Sequence, residues 1–199
     1  MAKISQEEIE KIQKVKGEVI GVSFQEDAQF IRQKEGEEGL RELETEMKKL
    51  GYPLEFKEVR SFQWYPLSLN FLYLAVAKNI FNWPDDVFRE NGRFSAKVSL
   101  IAKIMMKYFV SLKRCFAEAG NFWQKYYTIG NLKTEELNEK EHSAALVLRD
   151  FPGHPLLCRV LEGYFWQVIS YVAPKEKLKV KEIECPFQGG KVHRFKITW

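Results

Sequence analysis

An α+β fold is predicted: an antiparallel sheet built on a C-terminal ββαββ unit crossed by one buried helix, preceded by a mainly helical layer. Two observations carry this expectation. Apolar residues recur at the helical spacing of about 3.6 residues as far as Tyr127, and beyond it they alternate at a period of two. Within the second part, a nearly all-apolar stretch from His154-Pro155 to about Ala173 separates two pairs of alternating segments. That is the order of an antiparallel sheet with one helix packed across it.

Ser5 to Val15 suits a short amphipathic helix, and SQEE at 5–8 fits a capping box in which Ser5 and Glu8 satisfy each other's exposed amides. Gly17 to Ser23 alternates weakly and suits a strand. Helices follow over about Gln25–Lys34 and Glu37–Leu50, ended by Gly36 and Gly51. Pro66 stands where a first-turn proline belongs and opens an apolar helix to about Phe81; Pro84 opens the next. Phe94 to Leu112 gives the clearest helical pattern, with Phe94, Val98, Ile101, Met105, Tyr108, Phe109 and Leu112 on one face. If that helix is continuous, Arg93, Lys103, Lys107 and Arg114 gather within roughly 80° on another face. From Arg93 to Lys133 there are eight basic residues and one acid, Glu118. This is either a solvated face or a surface for an anionic partner. Lys97 projects into the apolar stripe, where it either snorkels to water or meets an anionic ligand group.

Gly130–Leu137 and His142–Phe151 read as strands around a polar turn, Asn138 to Glu141. The helix opened by His154-Pro155 leaves only a narrow polar strip of Arg159, Glu162, Gly163, Gln167 and Ser170, so it is expected to be buried on most sides. Gly163 on that strip allows close backbone approach. The last strands are expected at about Lys177–Phe187 and Lys191–Trp199. Alternation puts His193, Phe195, Ile197 and Trp199 on one face, and Ile183, Cys185 and Phe187 on the matching face, with Glu182 and Glu184 toward water. A three-residue loop, Gln188-Gly189-Gly190, then pairs Cys185 with His193, Ile183 with Phe195, Glu184 with Arg194 and Glu182 with Lys196.

Cys185 and His193 are thus expected as inward neighbours. Buried packing or pocket lining, a metal or haem site, and a thiol activated by the imidazole are the alternatives for this pair. Structural zinc wants four N or S ligands, and the spacing of Cys115, Cys158, His142 and His154 does not supply the others, so no stoichiometric metal is expected. At 199 residues the chain is long enough for a self-sufficient core. A single domain over 1–199 is expected, with an N-terminal helix to 16, a helical layer over 17–127 and the sheet unit over 128–199. An aromatic content of 14% is high, suited to filling a core or lining a cavity for a bulky apolar ligand. A net charge of +4 is too small to imply nucleic acid. An acidic N-terminus argues against a signal peptide, and the longest uncharged run, Ser61–Ala77, is too short to span a bilayer. The expectation is a cytoplasmic protein without a transmembrane segment or disulfides.

The ending Cys-x3-Gly-x3-His-x-Phe-x-Ile-x-Trp resembles the C-terminal signature of vinyl-reductase-type small-molecule-binding domains. It is closer still to an uncharacterised bacterial family of Myxococcus xanthus paralogues. Gly36-Glu37-Glu38-Gly39-Leu40, Trp64-Tyr65-Pro66, Gly92-Arg93-Phe94-Ser95-Ala96, Trp123-x-x-Tyr126-Tyr127 and His154-Pro155-x-x-Cys158 match in the same order. Related folds include haem-based nitric-oxide-sensing domains and transport-particle subunits of Golgi traffic. The resemblance implies an α+β domain with an internal, mostly apolar cavity. His193 stands where vinyl-reductase-type domains often carry a second cysteine, and the haem sensors' Tyr-x-Ser-x-Arg propionate clamp is absent. Neither a cysteine metal site nor haem is therefore carried over, and no cofactor is assigned.

The function expected is a non-catalytic binding or sensory domain for a small apolar or amphipathic ligand. The candidate contributors are Trp64, Tyr65, Trp123, Tyr126, Tyr127, Cys185, His193 and Phe195, with Lys97 as an anchor for a carboxylate or phosphate. The alternatives are an interaction module that forms a homodimer through a helical face, a haem protein, or an enzyme.

Overall fold

The computed structural model describes residues 4–106 and 111–199, residues 105 and 106 by backbone alone. The fold is α+β, as expected. Helix α1 (Gln6–Gln13) opens on Ser5, whose Oγ accepts from the Glu8 amide at 3.1 Å. Strand β1 is only Glu18–Ile20, because Gly21 already begins α2 (Gly21–Lys49). The two expected helices are halves of α2, kinked at Gly36, whose φ of 74° no ordinary helical residue adopts. Trp64–Pro66 forms a strand that the pattern did not announce, β2, paired antiparallel with β1. Helix α3 (Leu67–Phe81) follows Pro66, and α4 (Asp85–Val98) follows Pro84.

The expected helix over Phe94–Leu112 is not continuous. It breaks at Ser99, which is extended (φ −54°, ψ 122°), and α5 (Leu100–Met106) restarts behind it. Ser99 Oγ accepts from the Ala102 amide at 3.2 Å and also bonds Tyr126, so the hydroxyl caps the new helix while tying it to the interior. The break falls between Arg93 and Lys103, so among the described residues these two do not share one continuous helical face, and Arg93 lies 4.6 Å over the Trp166 ring. Lys107, Tyr108 and Phe109 lie outside the described residues. Two short helices, α6 (Leu112–Ala117) and α7 (Ala119–Trp123), lead into the sheet.

Strands β3 (Asn131–Asn138), β4 (Ser143–Arg149), β5 (Lys179–Glu184) and β6 (His193–Thr198) form one antiparallel sheet in the order β3-β4-β6-β5. Helix α8 (Pro155–Ile169) crosses it, with Phe165 meeting Phe195 edge-on at 5.1 Å. Its other side packs on α4 through two facing glycines. A Cβ on Gly163 would sit 2.0 Å from the Arg89 carbonyl oxygen, and one on Gly92 would sit 1.9 Å from that of Val160. Gly163→Ala must push the helices apart, and a loss of roughly 1–3 kcal/mol, read as a lower urea midpoint at unchanged m-value, is expected. An unchanged midpoint would mean that the α4–α8 contact has slack.

The hairpin register departs from the expected one at a single residue. Glu184 does face Arg194, but Glu182 pairs with Phe195 and Lys181 with Lys196, with a bulge between Glu182 and Glu184. Ile183 is the extra residue and is 55% exposed, while Glu182, expected toward water, is only 8% exposed. A 3-10 turn, Pro186–Gln188, lengthens the loop and leaves Phe187 half exposed. Cys185 and His193 remain inward neighbours, as expected.

Candidate functional site

The bulge assembles a buried cluster. It swings Glu182 inward beside Cys185 and His193, and the first turn of α8 brings Cys158 to the same point. One ligand atom from each of Cys158, Glu182, Cys185 and His193 lies within 4.8 Å of all the others. His193 Nδ1 is 3.0 Å from Glu182 Oε1 and 3.4 Å from Cys158 Sγ, while its Nε2 is buried without a partner. Behind the cluster, Arg159 grips Glu182 Oε2 at 2.6 Å and Glu162 at 2.9 Å. Glu162 in turn accepts the Glu182 amide at 2.8 Å and the Arg89 guanidinium at 2.7 Å. Burial pushes the Cys158 and Cys185 thiols upward, so neither is the activated nucleophile that a cysteine beside an imidazole allows. For Glu182, burial works upward, but hydrogen bonds from His193 and Cys158 and the Arg159 charge outweigh it and hold the carboxyl below its ordinary range.

The expectation of no metal rested on the lack of two further ligands. That premise does not hold, because the fold supplies Cys158 and Glu182. Two sulfurs, one imidazole and one carboxylate are a zinc donor set, and bond lengths of about 2.0–2.3 Å put ligand atoms roughly 3.3–3.8 Å apart. The contacts of His193 at 3.0 and 3.4 Å are already at or inside that spacing, and separations that reach up to 4.8 Å have to close by about 1 Å.

A second centre lies between the helical layer and the sheet. Three small voids, of about 30, 40 and 40 Å³, abut there, and Tyr164 lines all of them. Their walls are aromatic: Phe122, Trp123, Tyr126, Tyr127 and Phe165. Trp123 stacks on Tyr127 at 4.2 Å and donates to the Ile129 carbonyl at 2.8 Å. One end is polar. Asp27 accepts from Tyr73 and from Asn91 at 2.8 Å, and Tyr164 hydroxyl lies 3.0 Å from that of Tyr126, which also bonds Ser99. Glu26, 4% exposed, has no hydrogen-bond partner on Oε1. Burial raises the Glu26 carboxyl to about 8, against a partial offset from Ser99, and raises Asp27 to about 6.

These shifts fix the sign of a pH effect. Below about pH 4 both folded and unfolded chains hold the Glu26 proton, and it costs nothing. As pH rises toward 8 the unfolded chain releases that proton while the folded chain keeps it, so stability falls. Glu26→Gln is therefore expected to be less stable than the unmutated protein near pH 4, by the cost of the buried amide, and more stable by about 1–3 kcal/mol at pH 8. Thermal melts across pH check it, and a mutant equally or less stable at pH 8 would refute the shift.

Five of the nine expected site residues fall in these two centres, and Trp64, Tyr65, Lys97 and Phe195 fall in neither. Trp123, Tyr126 and Tyr127 line the voids, and Cys185 and His193 belong to the cluster. Phe195 is fully buried under α8. Phe151 joins the centres, touching Trp123 at 5.1 Å and His193 at 6.3 Å. Trp64 sits on β2, partly exposed, and Tyr65 packs on Phe24 at 5.4 Å, both outside the three voids. Lys97 is exposed on α4: once the helix breaks at Ser99, its stripe is no longer a buried face. The sequence reading missed Glu26, Asp27, Cys158 and Glu182. Two adjacent acids set among Val22, Phe24, Ala28, Phe30 and Ile31 in one helical stretch (VSFQEDAQFI) were the available signal for the first pair.

No family model and no curated protein matches the chain. Solved structures do match its fold. An H-NOX protein from S. oneidensis in the Fe(II)NO ligation state superposes with a TM-score of 0.67 at 16% identity, over 89% of this chain and 97% of that one. An Fe(II) unliganded H-NOX protein from K. algicida gives 0.64 at 14%, over 90% and 95%. A structure concerned with heme redox potential and porphyrin distortion gives 0.61 at 13%, over 90% and 99%. At these identities the likeness is one of fold, and it is to the H-NOX proteins rather than to the more specific family that the motifs resemble. A heme does not fit the interior as folded. The voids are water-sized, and all three histidines lie elsewhere. His142 is exposed beside Trp199, His193 is in the cluster, and His154 caps α8, its pKa lowered to about 4 by burial and Lys78.

Proposed function

We propose that residues 1–199 form one non-catalytic binding or sensory domain, holding a small, mostly apolar ligand between the helical layer and the sheet. The observation that supports this best is the run of abutting aromatic-walled voids around Tyr164. Tyr164 is a wall common to all three, so a turn of its ring is the movement that would join them, and their apolar and aromatic lining is that of small-molecule pockets. The motif resemblance to vinyl-reductase-type small-molecule-binding domains supports the same reading. Native mass spectrometry of freshly purified protein tests it. The expected result is a retained organic mass, or a thermal shift with small aromatic compounds such as toluene that is lost when Leu161→Trp fills the space. A clean protein mass with no shift from any such compound would overturn it.

A second reading concerns the Cys158–Glu182–Cys185–His193 cluster, which we assign as a structural zinc centre. Bound there, zinc would supply a cross-link and no reaction. Cys158 would join α8 to Glu182 and Cys185 at the end of β5 and to His193 at the start of β6, with Arg159 orienting Glu182. The supporting observation is the donor set itself, gathered from three elements and buried.

A further inference from the structure

The polar end of the interior is unbalanced in one direction. Its two buried side-chain atoms without partners are Glu26 Oε1 and Asn70 Oδ1; the amide oxygen is an acceptor, and so is the carboxyl oxygen once Glu26 is ionised. Both residues line the same 40 Å³ void, and both are more than nine-tenths buried. The void's other polar groups are Asp27, Ser23, Ser95 and the hydroxyls of Tyr126, Tyr127 and Tyr164, and no basic side chain lines it among the described residues. The complement of acceptors that lack donors is a group with several donors and no acceptor. An ammonium fits that description, with three N–H donors and a charge matched to two carboxylates, and the tyrosine rings offer it aromatic faces.

We propose that the interior selects a small primary amine, its ammonium held by Glu26 and Asn70 and its apolar body lying among Tyr126, Tyr127 and Tyr164. This rests on the reading of the interior as a ligand site and adds the chemical class of the ligand. Neighbouring groups support it. The titratable groups facing Glu26 are Asp27 from α2, Tyr73 from α3, Tyr126 and Tyr127 after α7, and Tyr164 from α8. The tyrosines are all raised above their ordinary range by burial and stay neutral, so only Asp27 competes with Glu26 for charge. With Glu26 raised to about 8, an ammonium enters as Glu26 gives up its proton to water. Binding therefore releases about one proton at pH 6–7 and tightens about tenfold per pH unit there.

Calorimetry with benzylamine and with toluene, which lacks the amino group, tests this, in two buffers of different ionisation enthalpy at pH 6 and pH 7. The expected result is benzylamine binding with release of about one proton, tightening about tenfold between the two pH values. Glu26→Gln should weaken benzylamine at least tenfold and leave toluene unchanged. The proton count on the unmutated protein carries the test should that variant fold poorly. Toluene bound without benzylamine would overturn the amine assignment and leave the apolar-ligand reading standing. Benzylamine bound without proton release, or equally well by Glu26→Gln, would place it elsewhere and overturn the assignment too. Binding of neither compound would overturn the amine assignment, and the apolar-ligand reading would fall with it only if the purified protein also retained no organic mass.

Discussion

Protein expressed with zinc in the medium is expected to carry one zinc per chain, and Cys158→Ser, Cys185→Ser and His193→Ala are each expected to lose it. Elemental analysis and native mass spectrometry read the stoichiometry. The two thiols are raised by burial, so binding must release their protons, and occupancy should fall steeply as pH drops. The stability effect follows from mass action. With free zinc at about 1,000 times its dissociation constant, the bound state gains about 4 kcal/mol. For a chain of this size that corresponds to a melting-temperature fall of roughly 8–16 °C on chelation. Cys115→Ser is the control, since Cys115 lies in α6 away from the cluster and should keep the metal. Protein without zinc after growth in zinc, and indifferent to chelator, would make the cluster a hydrogen-bonded polar knot and nothing more.

Removal of Phe195–Trp199 is expected to abolish cooperative folding. Strand β6 lies between β4 and β5 in the sheet, so the truncation unpairs both neighbours at once. It also withdraws Phe195 and Ile197, which are fully buried, and Trp199, which packs on Phe116 at 5.6 Å. Burial of each such side chain contributes on the order of 1.5–3 kcal/mol, a sum of the same size as the roughly 5–15 kcal/mol that holds a typical domain folded. Loss of near-ultraviolet circular dichroism and of any sigmoidal melt is the expected outcome. A truncated protein that melts cooperatively would mean β5 can pair directly with β4.

What could be read along the chain was whatever depends on neighbours in sequence. The change of apolar period after Tyr127, the prolines at 66, 84 and 155, and the glycines at 36 and 51 set the α+β plan and most element starts, because each acts on its own backbone. The aromatic triplet Trp123, Tyr126 and Tyr127 was legible as a short motif, Trp-x-x-Tyr-Tyr, although only Trp123 lies in a helix and the tyrosines follow in the turn after α7. The break at Ser99 was not. A serine inside an apolar run is compatible with a helix, and only Tyr126, arriving from 27 positions away, draws its hydroxyl inward. Two further decisions belong to the tertiary structure alone. A one-residue bulge at Ile183 reversed the side on which Glu182 lies, and with it turned a cysteine–histidine pair into a four-donor cluster completed by Cys158 from α8. The burial of Glu26 and Asp27 likewise depends on α3, α4 and α8 closing over α2, and removal from water, which no sequence period records, is what sets the proton affinity of those acids.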